Sequence, residues 1–383
     1  MKRPLIVDSD IHHHWRSDQD ILEYLPKRWR DIVAAPSGRK SPLEPAAIWV
    51  PHTFGFRNRL DTFPPDGGPP GSDYATIRKQ YFDPFNVKKA ILSFDIGANG
   101  GLANPYLARE VVRAANDWNR DKWLSIDDDR IASVILVSTQ EPDEAAKEIR
   151  RVAGHPKLLE VLLVANPMGK PFGHPFYHPI YQAATEAGLP IGIHSGGEIG
   201  GGSAVTTAGG IPNSRLEYHS LLPQNLQHHL ASFITHGVFE IFPSLKVLLI
   251  EAGVAWLPWT MIKLDSVYST LRQESDWVKR LPSEYVREHI RVTSQPLELS
   301  PRRDELIGLL QSVEGMEDII CFASDYPHWD ADDPTFVVNR LPESWHPKVF
   351  YNNAAKIYGL PVLPDDQVLG QEITAANLES ALP

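Results

Sequence analysis

The 383-residue chain holds one cysteine, Cys321, and that scarcity removes several classes of protein. A single thiol makes no intrachain disulfide and no cysteine-rich zinc site, so the fold asks for no oxidising compartment. Long apolar runs are missing too: no stretch approaches the roughly 18 uninterrupted residues of a spanning helix. The first residues run straight into a strand-like segment, so no signal peptide is expected. Basic residues never form a long run. The 37 Lys and Arg face 48 Asp and Glu, a formal charge of −11, which disfavours nucleic acid or an anionic membrane as partner. There is no Gly-x-Ser-x-Gly elbow, no phosphate-binding P-loop and no His-Glu-x-x-His. With 42% hydrophobic and 22% charged residues, global disorder is excluded. The expectation is a soluble cytoplasmic protein that takes a small-molecule substrate.

Against the one cysteine stand 15 histidines and 33 prolines, so nitrogen and oxygen must hold any bound metal. Length leaves the domain count open, because α/β barrels often run past about 250 residues as one domain. Short apolar runs recur at Pro4–Asp8, Lys88–Phe94, Arg130–Val137, Leu158–Val164, Pro190–His194, Lys246–Glu251, Ile290–Thr293 and Asp318–Asp325. Helical spacing follows most of them, at Pro105–Trp118, Asp143–Val152, Pro179–Ala187, Leu222–Phe242, Trp256–Arg272, Arg302–Leu310 and Tyr351–Tyr358. Near-continuous apolar strands are covered on both faces, which predicts an α/β fold of the (β/α)8 TIM barrel class. An open doubly wound sheet is the competitor. Pro64-Pro65-Asp66-Gly67-Gly68-Pro69-Pro70 marks an insertion after strand one, about residues 40–85, arching over one end. The barrel is expected to occupy residues 1–363, with a surface tail over 364–383.

Catalytic residues of such barrels lie at the carboxyl ends of the strands. Strand one runs into Asp8-Ser9-Asp10-Ile11-His12-His13-His14, and alternation puts Asp8, Asp10, His12 and His14 on one face. Strand five ends in His194, strand six in Glu251 and strand eight in Asp325. Imidazoles and carboxylates converging on one barrel mouth suit a divalent metal. Taken singly, each has a plainer reading: a hydrogen-bonded structural histidine, or a carboxylate capping a helix. His228 and His229 read as surface residues, whereas His219 could reach the mouth. Trp15 and Trp329 flank the metal-binding segments and could wall an aromatic pocket, or simply pack. Arg57 and Arg59 could bind an anionic substrate, or simply be solvated. The glycine-rich run 196–202 reads as a flexible loop beside the site, and Cys321 as a core residue.

Four segments together resemble the amidohydrolase superfamily, in the branch that includes aminocarboxymuconate-semialdehyde decarboxylase. They are Ile6-Val7-Asp8-Ser9-Asp10-Ile11-His12, Gly188-Leu189-Pro190-Ile191-Gly192-Ile193-His194, Phe322-Ala323-Ser324-Asp325-Tyr326-Pro327-His328 and Asn353-Ala354-Ala355-Lys356-Ile357-Tyr358-Gly359-Leu360. The resemblance implies one divalent metal, zinc or alternatively manganese, and a homodimer. The family's His-x-His falls on Asp10-x-His12 here, with His12-x-His14 as the other register. His194 matches the strand-five ligand and Asp325 the strand-eight carboxylate. No lysine closes strand four to bridge a second metal. At strand six the branch's decarboxylases commonly carry His-Gly-Gly or His-Met-Gly, where this chain has Glu251-Ala252-Gly253.

That departure favours a hydrolase acting on a small ester, lactone or amide. Asp325 would serve as base, Glu251 as a second acid or base and His194 as a further catalytic group, with Trp15, His328 and Trp329 near the substrate. The alternatives are a non-oxidative decarboxylase of an aromatic or dienoic acid, and a catalytically silent barrel used for binding.

Overall fold

The computed structural model describes residues 3–34, 58–94, 102–164, 166, 168–195, 212, 214–300 and 302–369. Arg57 and the glycine-rich run 196–202 lie outside the described residues. Eight parallel strands pair in sequence order: β1 (Ile6–His13), β2 (Val87–Phe94), β3 (Ile131–Leu136), β4 (Leu158–Leu163), β5 (Ile191–His194), β6 (Val247–Ile250), β7 (Ile290–Thr293) and β8 (Ile320–Cys321). β3, β5 and β6 are buried at every position, as strands enclosed on both faces must be. Helices between them complete a (β/α)8 barrel.

The helices follow from local chemistry. Pro105–Lys122 starts at Asn104, whose side chain accepts from the amides of Tyr106 and Leu107, with proline at the first turn. Its buried Leu107, Ala108, Val111, Val112, Ala115 and Trp118 recur at helical spacing and face the sheet. The helices expected across Leu222–Phe242 are Pro223–Thr235 and Val238–Ile241, divided where Gly237 turns left-handed at φ 69°. His229 is buried rather than on the surface: its Nδ1 accepts from the Phe172 amide at 3.0 Å. None of the described helices is long and apolar enough to cross a membrane.

Both strands at the closure differ from expectation. β1 runs on to His13, with a register shift between Asp8 and Ile11 against β2. β8 is only two residues long. Beyond it the chain stays bonded to β1, with Ser9 N donating to Phe322 O (3.0 Å), Asp325 N to Asp10 O (3.0 Å) and His12 N to Tyr326 O (2.7 Å). An isolated parallel bridge joins Ile11 to Tyr326.

The described part of the β1–β2 connection is fastened to this closure. Tyr81 donates to Asp8 Oδ2 at 2.5 Å and stacks on Tyr326, ring centres 5.5 Å apart. Asn58 bridges His328, and the Arg59 amide donates to Pro327 O. The segment expected to begin a surface tail instead forms the helix Asp365–Leu369. Its Val368 is fully buried, and its carbonyl accepts from the Leu5 amide. Burying Val368 removes apolar surface from water that a free tail would leave exposed.

Gly71 lets the connection close on β1. Its φ is +79°, and a Cβ there would lie 2.6 Å from His12 O, while its own carbonyl accepts from the His14 amide. G71A is expected to lose about 2 kcal/mol, read as a lower chemical-denaturation midpoint. An unchanged midpoint would show that the connection is not pinned there.

Glu160 is fully buried inside the barrel. Tyr358 donates to its Oε2 at 2.8 Å, and its Oε1 has no partner. Burial pushes its carboxyl up to about 8, from an ordinary 4.5. The folded state therefore keeps a proton that the unfolded chain releases near pH 4.5. Its stabilisation is complete below that pH and is lost as pH rises through about 8. E160Q cannot ionise, so the stability difference between wild type and E160Q should change across this range, by on the order of a few kcal/mol. A difference independent of pH would overturn this.

Candidate metal centre

Strand ends from four sides of the barrel converge at its mouth. β1 supplies Asp10 and His12, β5 ends in His194, Glu251 follows β6, and Asp325 follows β8. Glu251 and Asp325 both adopt left-handed backbone, at φ 61° and 58°. Only one other non-glycine among the described residues does so, Asn86. Such conformations cost about 1–3 kcal/mol each and persist where the surroundings fix them. The Glu251 amide donates to Thr293 Oγ1 (3.0 Å), and its carbonyl accepts from Ser195 Oγ (2.6 Å). Asp325 is held through its amide by Asp10 O and through its carbonyl by the His328 amide.

Two imidazole Nε2 atoms, from His12 and His194, face each other at 3.4 Å. Asp10 Oδ2 lies 3.5 Å from the first and 3.4 Å from the second, and Asp325 Oδ1 is 2.9 Å from His12 Nε2. Asp10, His12 and His194 form one group whose ligand atoms lie within 4.8 Å of one another. His12, Asp325 and His328 form a second, and Glu251, Asp325 and Asp330 a third. Asp10 is fully buried, yet neither of its oxygens accepts a hydrogen bond. A carboxylate so placed is expensive unless a cation compensates it. His194 Nδ1 lies 2.6 Å from Ser195 O and must donate to it, which leaves the Nε2 lone pair facing the centre. The donor set of two nitrogens and carboxylate oxygens thus fits one divalent ion, zinc or manganese.

Among the side chains alone the electrostatics are mutual. Burial acts to raise the Asp10 carboxyl, but the charges of His12 and His194 outweigh it and hold Asp10 well below the usual range. Burial acts to lower both imidazoles, yet the neighbouring carboxylates raise them, His194 to about 9. Asp325 is also lowered despite burial, by His328 and His12. Glu251 goes the other way: burial and the charge of Asp325 push it well above its ordinary value, and the same causes take Asp330 to about 7.

Not every residue singled out in the sequence arrives here. β1 ends at His13, so the alternation carries Asp10 and His12 to the centre but not His14, whose Nδ1 lies 2.5 Å from Trp15 O. Asp8 turns instead toward Tyr81 and the Ser324 amide. Trp15 is buried and packs edge-on against Trp118 at 5.7 Å. His328 is brought in, its Nδ1 donating to Asp325 Oδ1 at 2.7 Å, and Trp329 is half exposed beside it. Arg59 pairs with Asp61 at 2.6 Å on the surface. Two residues were missed in the sequence. Gln295, just past β7, donates to Asp325 Oδ2 (3.0 Å) and Asp330 O (3.2 Å), and Asp330 closes the carboxylate group. The strand-seven end was the signal for Gln295.

Purified protein is expected to take up about one equivalent of Mn2+ or Zn2+ and to melt at higher temperature when loaded. D10N should weaken uptake about tenfold or more. Elemental analysis and thermal unfolding check both. Less than about a tenth of an equivalent, without a thermal shift, would favour the silent barrel.

The amidohydrolase family profile matches residues 9–360. No curated protein matches the sequence. Among solved structures, an amidohydrolase from Mycobacterium avium subsp. paratuberculosis is 21% identical with a TM-score of 0.71, covering 94% of this chain and 99% of that one. The 5-carboxyvanillate decarboxylase of Novosphingobium aromaticivorans, complexed with manganese and 4-hydroxy-3-methoxy-5-nitrobenzoic acid, is 21% identical with a TM-score of 0.66 over 93% and 96%. A dihydroxybenzoic acid decarboxylase from a Polaromonas species, with bound manganese and the inhibitor 2-nitroresorcinol, is 16% identical with a TM-score of 0.62 over 94% and 97%. At these identities the structural likeness speaks to fold. The profile match, running from β1 past β8 and through each strand-end motif, carries the assignment further: this chain belongs to the amidohydrolase family.

Proposed function

We propose that the protein is a metal-dependent, non-oxidative decarboxylase of an aromatic or dienoic acid that carries a hydroxyl group near its carboxylate. This replaces hydrolysis as the preferred reading. The observation that carries it is how the two catalytic carboxyls are committed. Asp325 accepts from His328 at Oδ1 and from Gln295 at Oδ2, so each of its oxygens already has a donor and keeps one lone pair for the ion. A carboxylate so occupied is a poor base for activating water, which hydrolysis would ask of it. Glu251 lies at the mouth with 12% of its side chain exposed, 3.2 Å from His194 Nε2, and is placed to meet a substrate as an acid. Support also comes from fold neighbours named as decarboxylases, two of them holding manganese.

Asp10, His12, His194 and Asp325 would hold the ion. When bound, the ion supplies charge neutralisation for the substrate's carboxylate and adjacent oxygen. Glu251 would protonate the carbon that bears the carboxylate. The carbon–carbon bond then breaks, its electron pair returns to the unsaturated system, and carbon dioxide leaves. Glu251 regains its proton from solvent, to which its side chain is open. The Thr293 hydroxyl and the Ser195 side chain hold the Glu251 backbone in place, while His328 and Gln295 fix Asp325. Trp329 offers a flat apolar face to the substrate ring. The same reading takes manganese or zinc, a homodimer and a cytoplasmic location.

Metal-loaded protein is expected to release carbon dioxide from hydroxylated aromatic or dienoic acids and to leave esters, lactones and amides intact. E251Q and D325N should fold normally and lose about a hundredfold or more in turnover. Near-normal turnover in E251Q would remove Glu251 as the acid. Cleavage of esters, lactones or amides alone would restore hydrolysis.

A further inference from the structure

Glu298, three residues past Gln295, takes no part in the proposed chemistry, yet it grips the turn that carries the acid. That turn runs from Glu251 to the start of the helix Trp256–Leu271 and holds two left-handed residues, Glu251 at φ 61° and Gly253 at φ 64°. The helix has no side-chain cap of its own. Ala255 occupies the capping position, and Ala252, Gly253 and Val254 before it offer no side-chain oxygen. Glu298 supplies the acceptors from the segment past β7. The Val254 amide donates to its Oε1 and Oε2 at 3.0 and 3.1 Å, and the Ala255 amide to Oε1 at 2.9 Å. Only glycine fits at 253, since a Cβ there would lie 2.4 Å from Glu298 Oε1. The Gly253 amide donates to Gln295 O at 3.3 Å and the Glu251 amide to Thr293 Oγ1 at 3.0 Å. The stretch from Thr293 to Glu298 thus holds the amides of Glu251, Gly253, Val254 and Ala255 at once.

We infer that Glu298 is a positioning residue for Glu251: by holding the amides of Val254 and Ala255 it keeps the turn in its left-handed form and so aims the Glu251 carboxyl at the substrate. The inference rests on the reading of Glu251 as the proton donor, and deepens it by naming what sets the donor's direction. A left-handed glutamate is unfavourable by itself and persists only where its surroundings fix it. Val254 is fully buried, so an amide released there finds no water in exchange and the turn must rearrange to satisfy it. Rearrangement rotates the Cα–Cβ bond of Glu251, three residues away, and swings its carboxyl from its place 3.2 Å from His194 Nε2. Proton transfer tolerates little such movement, because the acid must lie within hydrogen-bond reach of the atom it protonates. The same stretch also fixes Asp325, through Gln295 Nε2 at 3.0 Å from Oδ2. The acid and the metal-side carboxylate are therefore set from one strand end, which keeps their spacing constant.

The manganese-loaded full chain carrying E298L tests this by structure and by turnover. Its crystal structure is expected to show Glu251 out of the left-handed region, with its carboxyl drawn away from His194 Nε2. On a hydroxylated benzoate, kcat for carbon dioxide release should fall about thirtyfold, while KM and manganese uptake stay near wild type. E298Q keeps an accepting oxygen and should stay within about threefold of wild type. In an E251Q background E298L should cost nothing further, because no acid remains to be aimed. A purely structural glutamate would instead lower kcat by the same factor in both backgrounds. Should E298L not fold, E298D keeps the charge, shortens the reach and carries the same expectations at about tenfold. Glu251 unmoved in the variant's crystal structure, an unchanged kcat, or an equal loss in the E251Q background would overturn the positioning role. A displaced Glu251 in the variant, with no carbon dioxide released by wild type from any hydroxylated acid, would overturn the decarboxylase reading and leave Glu298 its role.

Discussion

The site depends on one structural event, the closing of the barrel between its first and last strands. β8 contributes only two residues of ladder, and the chain beyond it is held against β1 by three backbone hydrogen bonds. One of them joins the Asp325 amide to the Asp10 carbonyl and so sets two candidate ligands side by side. Asp8 reinforces the seam from beneath. Its Oδ1 accepts from the Ser324 and Asp10 amides, and its Oδ2 from Tyr81 of the β1–β2 connection. A buried carboxylate satisfied by three donors is tolerable where an unsatisfied one is not, and here it couples strand, loop and connection. Loosening any of the three would move Asp325 relative to Asp10 and His12.

Given that closure, the charges explain why the centre has the form it does. Asp10 has no hydrogen-bond donor and is fully buried, whereas Asp325, equally buried, has several. Equal burial with unequal satisfaction separates the two: Asp10 is the carboxylate that a cation would compensate, and Asp325 is positioned by its neighbours. The left-handed backbone at Glu251 and Asp325 belongs to the same arrangement. An extended strand would carry its last side chain along the pleat. A left-handed residue there turns it instead, at a conformational cost that the barrel core offsets.

Much of this was legible in the sequence. Eight apolar runs gave the barrel because parallel strands covered on both faces leave a continuous hydrophobic record. Asp10, His12, His194, Glu251 and Asp325 were legible as polar residues ending such runs. The rest failed for specific reasons. Alternation was projected from Asp8 to His14, but a register shift and the end of β1 at His13 break the period. Trp15, one residue further, fell to the core with it. Asp318–Asp325 reads as a full strand because apolar burial continues after the ladder has stopped, and composition reports burial, not hydrogen bonding. Gln295 escaped because the four residues of β7 give a weak signal, and an amide is not an expected ligand. Glu160 and Asp330 become meaningful only through partners far along the chain, such as Tyr358 for Glu160.

The hydrolase expectation came from Glu251 standing where related decarboxylases carry histidine, and the geometry changes what that substitution means. Histidine and glutamate can each carry a proton to a substrate; they differ in what their surroundings must provide. A glutamate acid needs a setting that disfavours its charge, and Glu251 lies beside Asp325 and Asp330 in a largely buried position. The same acidic crowding that suits a proton donor would repel an anionic substrate. A cation held at the neighbouring Asp10, His12 and His194 group would relieve that repulsion.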